Sequence, residues 1–225
     1  MSVAYQLERD RAYKGLLDLF LGGSVDPDLP LSERKLAGSL DMGRTPVREA
    51  LRDLARDGLI EVRPARGTFV KRLTSADIRE IYQVRQSLES LAARLAAENG
   101  GSPALSAYGP RFEHMIARPG DFDLAETYEF GAAFHTEVFR AAGNAYLLGL
   151  YEPMRLQFSV ALGLPRFYDP DWVRQSVPEH LMILNTIERG DGAAAGQLIS
   201  DHLGHGMNVR ARIFDRLADI AETGG

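Results

Sequence analysis

The sequence of 225 residues contains no cysteine, which excludes disulfide bonds and thiolate metal sites. It also lacks any run of about eighteen apolar residues, so no membrane-spanning helix is predicted. The first residues, MSVAYQLERDRAYK, have no apolar segment of the kind that signal peptides carry, so we expect a cytoplasmic protein. A large basic excess is missing as well, because the net charge is −5, which argues against a generally basic nucleic-acid-binding protein.

The charge is unevenly distributed along the chain. Residues 1–73 carry 13 Lys and Arg against 11 Asp and Glu, whereas residues 74–225 carry 13 against 20. Only the first part is therefore compatible with a polyanionic partner, and only through a local basic patch. The chain is long enough for two hydrophobic cores, and we predict two domains, residues 1–73 and 74–225.

Residues 31–70 have the pattern of two helices followed by a β-hairpin. The apolar residues of both helices recur at helical spacing, and a short break separates them. We expect Thr45 to cap the second helix, with Pro46 at its first position. Residues 59–63 and 67–71 are predicted to form the two strands of a wing.

Four arginines line one flank of the second helix, because they recur at every fourth position: Arg44, Arg48, Arg52 and Arg56. A helix that buries one face and carries arginines along another suits the DNA major groove and its phosphates. The alternative is an ordinary solvated face, in which Glu49, Asp53 and Asp57 pair with the arginines. The short first helix, the sharp turn and the Thr-Pro start favour a helix-turn-helix module.

The segments LSERKLA, RTPVREAL, ARDGLI and PARGTFV resemble, in order and without a gap, the winged helix-turn-helix of GntR-type transcription regulators. The resemblance implies DNA contacts by Arg34, Arg44, Thr45 and Arg48, with Gly67 at the wing tip beside the minor groove. Gly43 departs from the family, which most often has Ser before the Arg-Thr-Pro run. That departure removes one phosphate or cap contact and leaves the arginines in place.

Every segment after residue 73 has helical periodicity, and Gly, Pro and Asn residues mark the breaks. A long helix is predicted over residues 74–99, followed by helices over residues 103–117, 122–142, 145–162, 172–189 and 192–221. The predicted fold class is therefore mainly α, with an N-terminal winged helix-turn-helix and a C-terminal antiparallel all-α bundle.

Three histidines of this bundle, His135, His180 and His202, lie on helical stripes that are otherwise apolar. A single inward histidine is usually an ordinary core residue, but His180 and His202 each lie eleven residues from Asp191, in the turn between their helices. At about 1.5 Å per residue both lie roughly 16 Å from that turn, so an antiparallel hairpin brings them face to face. With His135 they form a set of three imidazoles able to bind Zn²⁺ or another divalent transition metal.

FH at 134–135, AAGN at 141–144, EH at 179–180 and HL at 202–203 resemble the FCD ligand-binding domain of FadR-like GntR regulators. The resemblance implies that metal-binding members add an aspartate four residues before the first histidine. That position is Gly131 here, so the fourth ligand is absent, and water or an effector carboxylate would fill the vacancy. We also expect extra room of about one side chain beside Gly131.

Arg85 shares the apolar stripe of the first bundle helix, so its guanidinium is predicted to point into the bundle, where an unpaired charge is costly. Glu89, four residues later, offers an intrahelical ion pair. Alternatively, Arg85 receives a ligand carboxylate. The segment VRQSLE matches the first bundle helix of the family, where the resemblance suggests an effector contact.

These patterns predict a homodimeric transcription regulator that binds a pseudo-palindromic double-stranded DNA operator. A small effector, expected to be an organic acid, would enter the helical domain and bias the arrangement of the winged domains. One alternative is a metal-dependent hydrolytic enzyme, in which the three histidines and Glu179 activate water. Another is a metal-free regulator that responds to an acyl compound or organic acid. The arginine-lined helix has no role in an enzyme, so we predict no catalytic residue.

Overall fold

The computed structural model describes residues 3–27, 29–162 and 169–223. The chain divides into two compact units, Met1–Leu73 with Pro153–Leu164, and Thr74–Glu152 with Pro165–Gly225. The fold is mainly α, as predicted, with one two-stranded sheet in the described residues. None of the helices in these described ranges is long and apolar enough to cross a membrane.

The first unit is a winged helix-turn-helix. Its elements in chain order are α1 (Val3–Leu21), α2 (Glu33–Ser39), α3 (Arg44–Arg56), β1 (Ile60–Arg63) and β2 (Gly67–Val70). The two strands pair antiparallel, with Ile60 opposite Val70 and Arg63 opposite Gly67. All three helices and both strands contribute to one apolar core, which includes Leu16, Phe20, Leu36, Val47, Leu54, Ile60 and Val70. Burial of this core fixes which face of α3 remains exposed.

The start of α3 differs from the sequence-based prediction. Gly43 rather than Thr45 is the N-cap residue, and it makes no side-chain hydrogen bond to the helix. Thr45 and Pro46 therefore lie within the first turn. Pro46 is tolerated there because the first N–H groups of a helix have no partner inside it, so the missing donor costs little.

The second unit is helical. It contains α4 (Ser75–Glu98), α5 (Pro103–Ser106), α6 (Gly109–Ala117), a 3₁₀ turn (Pro119–Asp121), α7 (Leu124–Ala141), the first part of α8 (Ala145–Leu162), α9 (Pro170–Glu188) and α10 (Gly192–Thr223). Thr74 and Asp77 form a reciprocal capping box that starts α4. Helix α4 packs against α7, α9 and α10, and α9 also packs against α7 and α10. These four helices enclose the polar residues described below.

The prediction of one helix over residues 103–117 was wrong, because two helices, α5 and α6, occupy this range. Gly109 and Pro110 lie at the start of α6. A proline has no N–H to donate to the preceding turn and disfavours helical geometry in the residue before it, so Gly109-Pro110 favours a new helix start at this point, although α9 continues through Pro178.

Candidate functional site

Three histidines converge inside the helical unit, His135 from α7, His180 from α9 and His202 from α10. The Nε2 atom of His180 lies 3.1 Å from that of His135 and 3.2 Å from that of His202, and 3.2 Å separates the remaining pair. All three side chains are buried. Among the described residues, no carboxylate oxygen belongs to this cluster of possible metal ligands. The facing of His180 and His202 thus agrees with their equal spacing from Asp191.

Carboxylates lie behind two of the three imidazoles. The Nδ1 atom of His202 lies 2.7 Å from Oε2 of Glu179, and the Nδ1 atom of His135 lies 2.5 Å from Oε2 of Glu89. The second contact is within hydrogen-bonding distance but is not well aligned. A proton on Nδ1 that faces a carboxylate leaves the Nε2 lone pair available. With its proton on Nδ1, the His202 ring presents a lone pair to the common centre, and the His135 ring does the same in the corresponding tautomer.

His180 is held differently from the other two histidines. Its buried Nδ1 atom has no hydrogen-bond partner among the described residues. Its ring packs instead against Phe112 and Phe134, with centroid distances of 5.5 and 5.3 Å. A Cβ atom built on Gly131 would lie only 2.7 Å from Cε1 of this ring. The expected extra room beside Gly131 is therefore absent, because His180 occupies it.

Burial favours the neutral imidazole form of His180 and of His202. Burial lowers the pKa of His180 well below its ordinary value, and the neighbouring His202 and His135 lower it further. Burial also lowers the pKa of His202 to about 4, although its hydrogen bond to Glu179 acts in the opposite direction. Neutral imidazole is the form that coordinates a metal ion, so these two rings suit a cation at neutral pH.

Arg85 and Glu89 form a buried ion pair within α4, one of the two alternatives that the sequence left open. The Nε atom of Arg85 donates a hydrogen bond of 2.7 Å to Oε1 of Glu89, whose side chain is 0% exposed. Burial by itself would raise the pKa of Glu89, but Arg85 and His135 lower it to about 2. Glu89 therefore connects Arg85 to the histidine cluster.

A second buried arginine, Arg210 on α10, was missed in the sequence. Its Cζ atom lies 5.1 Å from the ring centroid of Tyr128, and the hydroxyl of Tyr82 is a hydrogen-bond partner. Arg85 lies over the ring of the same Tyr82, with Cζ 4.9 Å from its centroid. The sequence does indicate that Arg210 points inward, because it lies eight positions after His202, and positions eight apart share the inward stripe of a helix.

The residues that the GntR resemblance assigns to DNA lie on the surface of the winged unit. Arg34 on α2 and Arg44, Thr45 and Arg48 on α3 are all exposed. Gly67 is exposed at the first position of β2, where its φ of +114° favours glycine. A Cβ atom at this position would also approach Cβ of Pro30 to 3.1 Å.

The arginines of α3 are not equivalent. Arg52 pairs with Glu49 at 2.6 Å, Arg56 pairs with Asp53, and Arg44 lies 3.7 Å from Glu33. Within the described ranges, neither Arg34 nor Arg48 takes part in an ion pair. The solvated-face alternative therefore applies to Arg52 and Arg56, whereas Arg48 keeps its charge available.

Comparisons with known proteins assign both units. Residues 8–70 match the family described as "Bacterial regulatory proteins, gntR family", and residues 80–205 match the FCD domain. The chain is 35% identical over 186 residues to the "Probable D-xylose utilization operon transcriptional repressor" of Paenarthrobacter nicotinovorans. The aligned region covers 80% of this chain and 79% of that protein. It is 27% identical over 184 residues to the HTH-type transcriptional repressor RspR of Escherichia coli K12, covering 80% and 78%.

Solved structures with the same fold include E. coli McbR/YncC, with a TM-score of 0.74 and 21% identity, covering 94% of this chain and 98% of that one. The metal-free FCD domain of TM0439 gives a TM-score of 0.53 and 20% identity, covering 66% of this chain and 99% of that one. At these identities the likeness shows the fold alone.

Proposed function

The chain belongs to the GntR family of bacterial regulatory proteins and carries an FCD domain, and from this premise we propose how its DNA binding is controlled. It is a transcription regulator and not the hydrolytic enzyme considered from the sequence, because its relatives and both of its domains are those of regulators. We propose that operator affinity depends on a small organic acid bound in the helical unit. A divalent transition metal held by His135, His180 and His202 assists this binding.

The observation that carries the proposal is the triangle of Nε2 atoms, with sides of 3.1 to 3.2 Å. Such a triangle has corners about 1.8 Å from its centre, close to the usual metal–nitrogen distance of about 2.0–2.1 Å. The three residues thus fit one Zn²⁺ or similar ion without moving apart. When bound, the ion would supply positive charge and a coordination position for water or a ligand carboxylate. Glu179 holds the His202 ring through a hydrogen bond, and Glu89 lies beside Nδ1 of His135.

The buried charges favour an anionic effector. Two guanidinium groups, those of Arg85 and Arg210, both contact Tyr82 in the interior of the helical unit. In this low-dielectric environment their positive charges attract a carboxylate more strongly than they would in water. Arg85 is the proposed effector contact, and a ligand carboxylate that reaches it competes with Glu89 for the guanidinium.

The DNA-binding part of the proposal concerns the winged unit. The operator is contacted by four exposed side chains of α2 and α3, those of Arg34, Arg44, Thr45 and Arg48. Gly67 allows the wing to approach the minor groove. Two copies of the chain form a homodimer in the cytoplasm. Its twofold symmetry presents two α3 helices to a pseudo-palindromic site.

Metal content and operator affinity test the two parts of the proposal separately. Elemental analysis and Zn²⁺ titration of the purified chain should find metal in the parent protein and little in His180→Ala or His202→Ala. His114→Ala, which removes an exposed histidine of the same unit, is the matched control and should keep the metal. A parent protein that stays metal-free on titration contradicts the metal part.

A thermal-shift screen of small organic acids, with and without Zn²⁺, should identify an acid that stabilises the protein and alters operator affinity without being consumed. Stabilisation and altered DNA binding that are independent of added metal would support the metal-free alternative. No response of DNA affinity to any acid that binds would contradict the effector part.

A further inference from the structure

Helix α3 carries a row of acidic residues beside its arginines. The acids recur at every fourth position, as Glu49, Asp53 and Asp57. In an ordinary solvated face they would pair only with arginines of the same helix. In the structure all three are half-buried, whereas the arginines of α3 are exposed. The acid-bearing flank is thus partly covered by the rest of the winged unit, and the arginine-bearing flank remains open.

Helix α1, which packs against α3, binds two of these acids. The Nε atom of Arg9 donates a hydrogen bond to Oδ2 of Asp53, and the hydroxyl of Tyr13 donates one of 2.5 Å to Oδ2 of Asp57. The other oxygen of Asp53 pairs with Arg56. Both contacts from α1 join residues 44 positions apart, so they lie one helical turn, or about 6 Å, from each other. The side chains of Arg9 and Asp53 are only 25% and 13% exposed, which limits the screening that weakens surface ion pairs.

Tyr13 acts as a hydrogen-bond donor in this arrangement. Burial raises the pKa of Tyr13, and the hydrogen bond to Asp57 and the charge of Asp57 raise it further. The phenol therefore keeps its proton at physiological pH. Asp57 is the C-cap residue of α3, where the helix dipole disfavours a negative charge, so its carboxylate gains from a donor on another helix.

These two contacts restrict the rotation of α3 about its own axis. The buried apolar stripe of α3, which includes Val47 and Leu54, holds the helix against the core, but apolar burial is non-directional. Hydrogen bonds weaken steeply when they are misaligned. Two of them one turn apart, on a flank beside the apolar stripe, therefore oppose both rotation and tilt of the helix. The rotation of α3 determines where its arginines point, and recognition of base edges depends on that geometry.

We propose that Arg9 and Tyr13 are positioning residues for operator recognition: by binding Asp53 and Asp57, they fix the rotation of α3 and direct its arginine-bearing flank outward. This inference rests on the proposed operator contacts of α3 and deepens them. Neither Arg9 nor Tyr13 needs to touch DNA for this effect.

Loss of this positioning has a different signature from loss of fold or of charge. Base contacts depend on fixed geometry, whereas phosphate contacts carry no sequence information. A rotated α3 should therefore lose affinity for the operator and keep its affinity for non-specific DNA. Unfolding, or the simple loss of a positive charge, weakens binding to both kinds of DNA. The ratio of specific to non-specific affinity is thus the informative measurement.

The first experiment removes one hydroxyl group. Tyr13→Phe keeps the ring and should reduce the ratio of specific to non-specific affinity about tenfold, the equivalent of one base contact. The specific probe is a duplex that the parent protein selects from a random-sequence library, and the non-specific probe has the same base composition in shuffled order. Fluorescence anisotropy at fixed salt measures both affinities, and circular dichroism shows whether the variant is folded. In an Asp57→Ala background Tyr13→Phe should have little further effect, because the acceptor is already absent.

The second experiment tests the other contact with a matched control. Arg9→Met removes the charge but keeps most of the length of the side chain, and it should also lower the ratio. Arg9→Lys can still pair with Asp53 and should restore most of it. Arg11→Met is the control, because Arg11 is an exposed residue of α1 that pairs with Glu8 of the same helix. This variant removes the same charge from the same helix and should leave the ratio unchanged.

The outcomes separate this inference from the proposed function. Ratios equal to that of the parent for both Tyr13→Phe and Arg9→Met, together with lost operator affinity in Arg48→Ala, overturn the role of α1 and leave the operator contacts intact. Equal losses of specific and non-specific affinity also overturn it, because the effect would then be one of charge or folding. A parent protein that selects no sequence from the library, or an Arg48→Ala variant that binds the selected duplex like the parent, overturns the proposed contacts of α3 themselves.

Discussion

The two units of this protein handle charge in opposite ways. In the winged unit, the arginines of α3 lie at the surface, and the pairs formed by Arg52 and Arg56 join neighbouring positions of one helix. In the helical unit, Arg85, Glu89 and Arg210 are buried, and both Glu89 and Arg210 contact residues from another helix. Exposed ion pairs contribute about 0–1 kcal/mol to stability. Removal of one partner from a buried pair costs about 3–5 kcal/mol.

This difference determines how the residues can be interpreted. A surface arginine can be replaced individually, because solvent compensates for the change. The buried groups act as a connected set, since Glu89 contacts both Arg85 and His135, and the histidine cluster links Glu89 to Glu179. A change at one member of such a set alters the others, so each substitution needs a structural as well as a functional measurement.

The largest expected effect is on stability, from Glu89→Ala. This change leaves the Arg85 guanidinium buried without its carboxylate and removes the contact to His135. We expect a loss of about 3–5 kcal/mol in the free energy of unfolding, measured by urea denaturation of the metal-free protein. An unfolding curve that coincides with that of the parent would show that the buried charges are not interdependent, and the contrast between the units would disappear.

The next effect concerns operator binding by Arg48→Ala. Arg48 is exposed and takes part in no ion pair within the described residues, so its charge is available to DNA. We expect a loss of about 1–3 kcal/mol for each base contact that Arg48 makes, with the protein still folded. Fluorescence anisotropy at fixed salt is the measurement. Arg56→Ala, whose partner is Asp53, serves as the control and should change affinity much less.

A smaller effect is expected for Glu179→Gln. The variant keeps the size of the side chain but removes the charge that orients His202. Zn²⁺ affinity should fall by about tenfold, measured with a competing chelator. The control is Glu188→Gln. Glu188 lies on the same helix but accepts a hydrogen bond from Ser106, so this variant should bind Zn²⁺ like the parent. Equal losses in the two variants would mean that the effect is a general one of charge rather than of ring orientation.

The smallest effect is expected for Glu49→Ala. It removes a surface pair with Arg52, whose side chain is 66% exposed. The free energy of unfolding should change by less than about 1 kcal/mol, and high salt should reduce the difference further. A loss comparable to that of Glu89→Ala would contradict the comparison between surface and interior.

Much of the fold could be predicted, because it depends on local patterns. The apolar stripes of α3 and α7 and the turn between β1 and β2 are set by residues a few positions apart. The errors are local as well. The predicted cap of α3 lies two residues after the observed one, and helical periodicity alone does not reveal the break at Gly109-Pro110 before α6.

The candidate site was predictable only in part. The three inward histidines followed from helical periodicity, and the facing of His180 and His202 followed from their equal distance to one turn. The choice between the two partners of Arg85 could not be made, because an ion pair and a ligand contact require the same inward position. Arg210 lay on the same stripe as His202 and could have been found.

The sequence by itself determined the helices, the wing and the inward direction of the histidines, because these depend on the residue's own neighbours along the chain. Only the tertiary structure decided that Glu89 lies behind His135, that Glu179 lies behind His202 and that the His180 ring fills the space at Gly131. These contacts join residues of helices α4, α7, α9 and α10 that lie 23 or more positions apart in sequence. Their distances depend on how four packed surfaces fit together, and no local pattern encodes that fit.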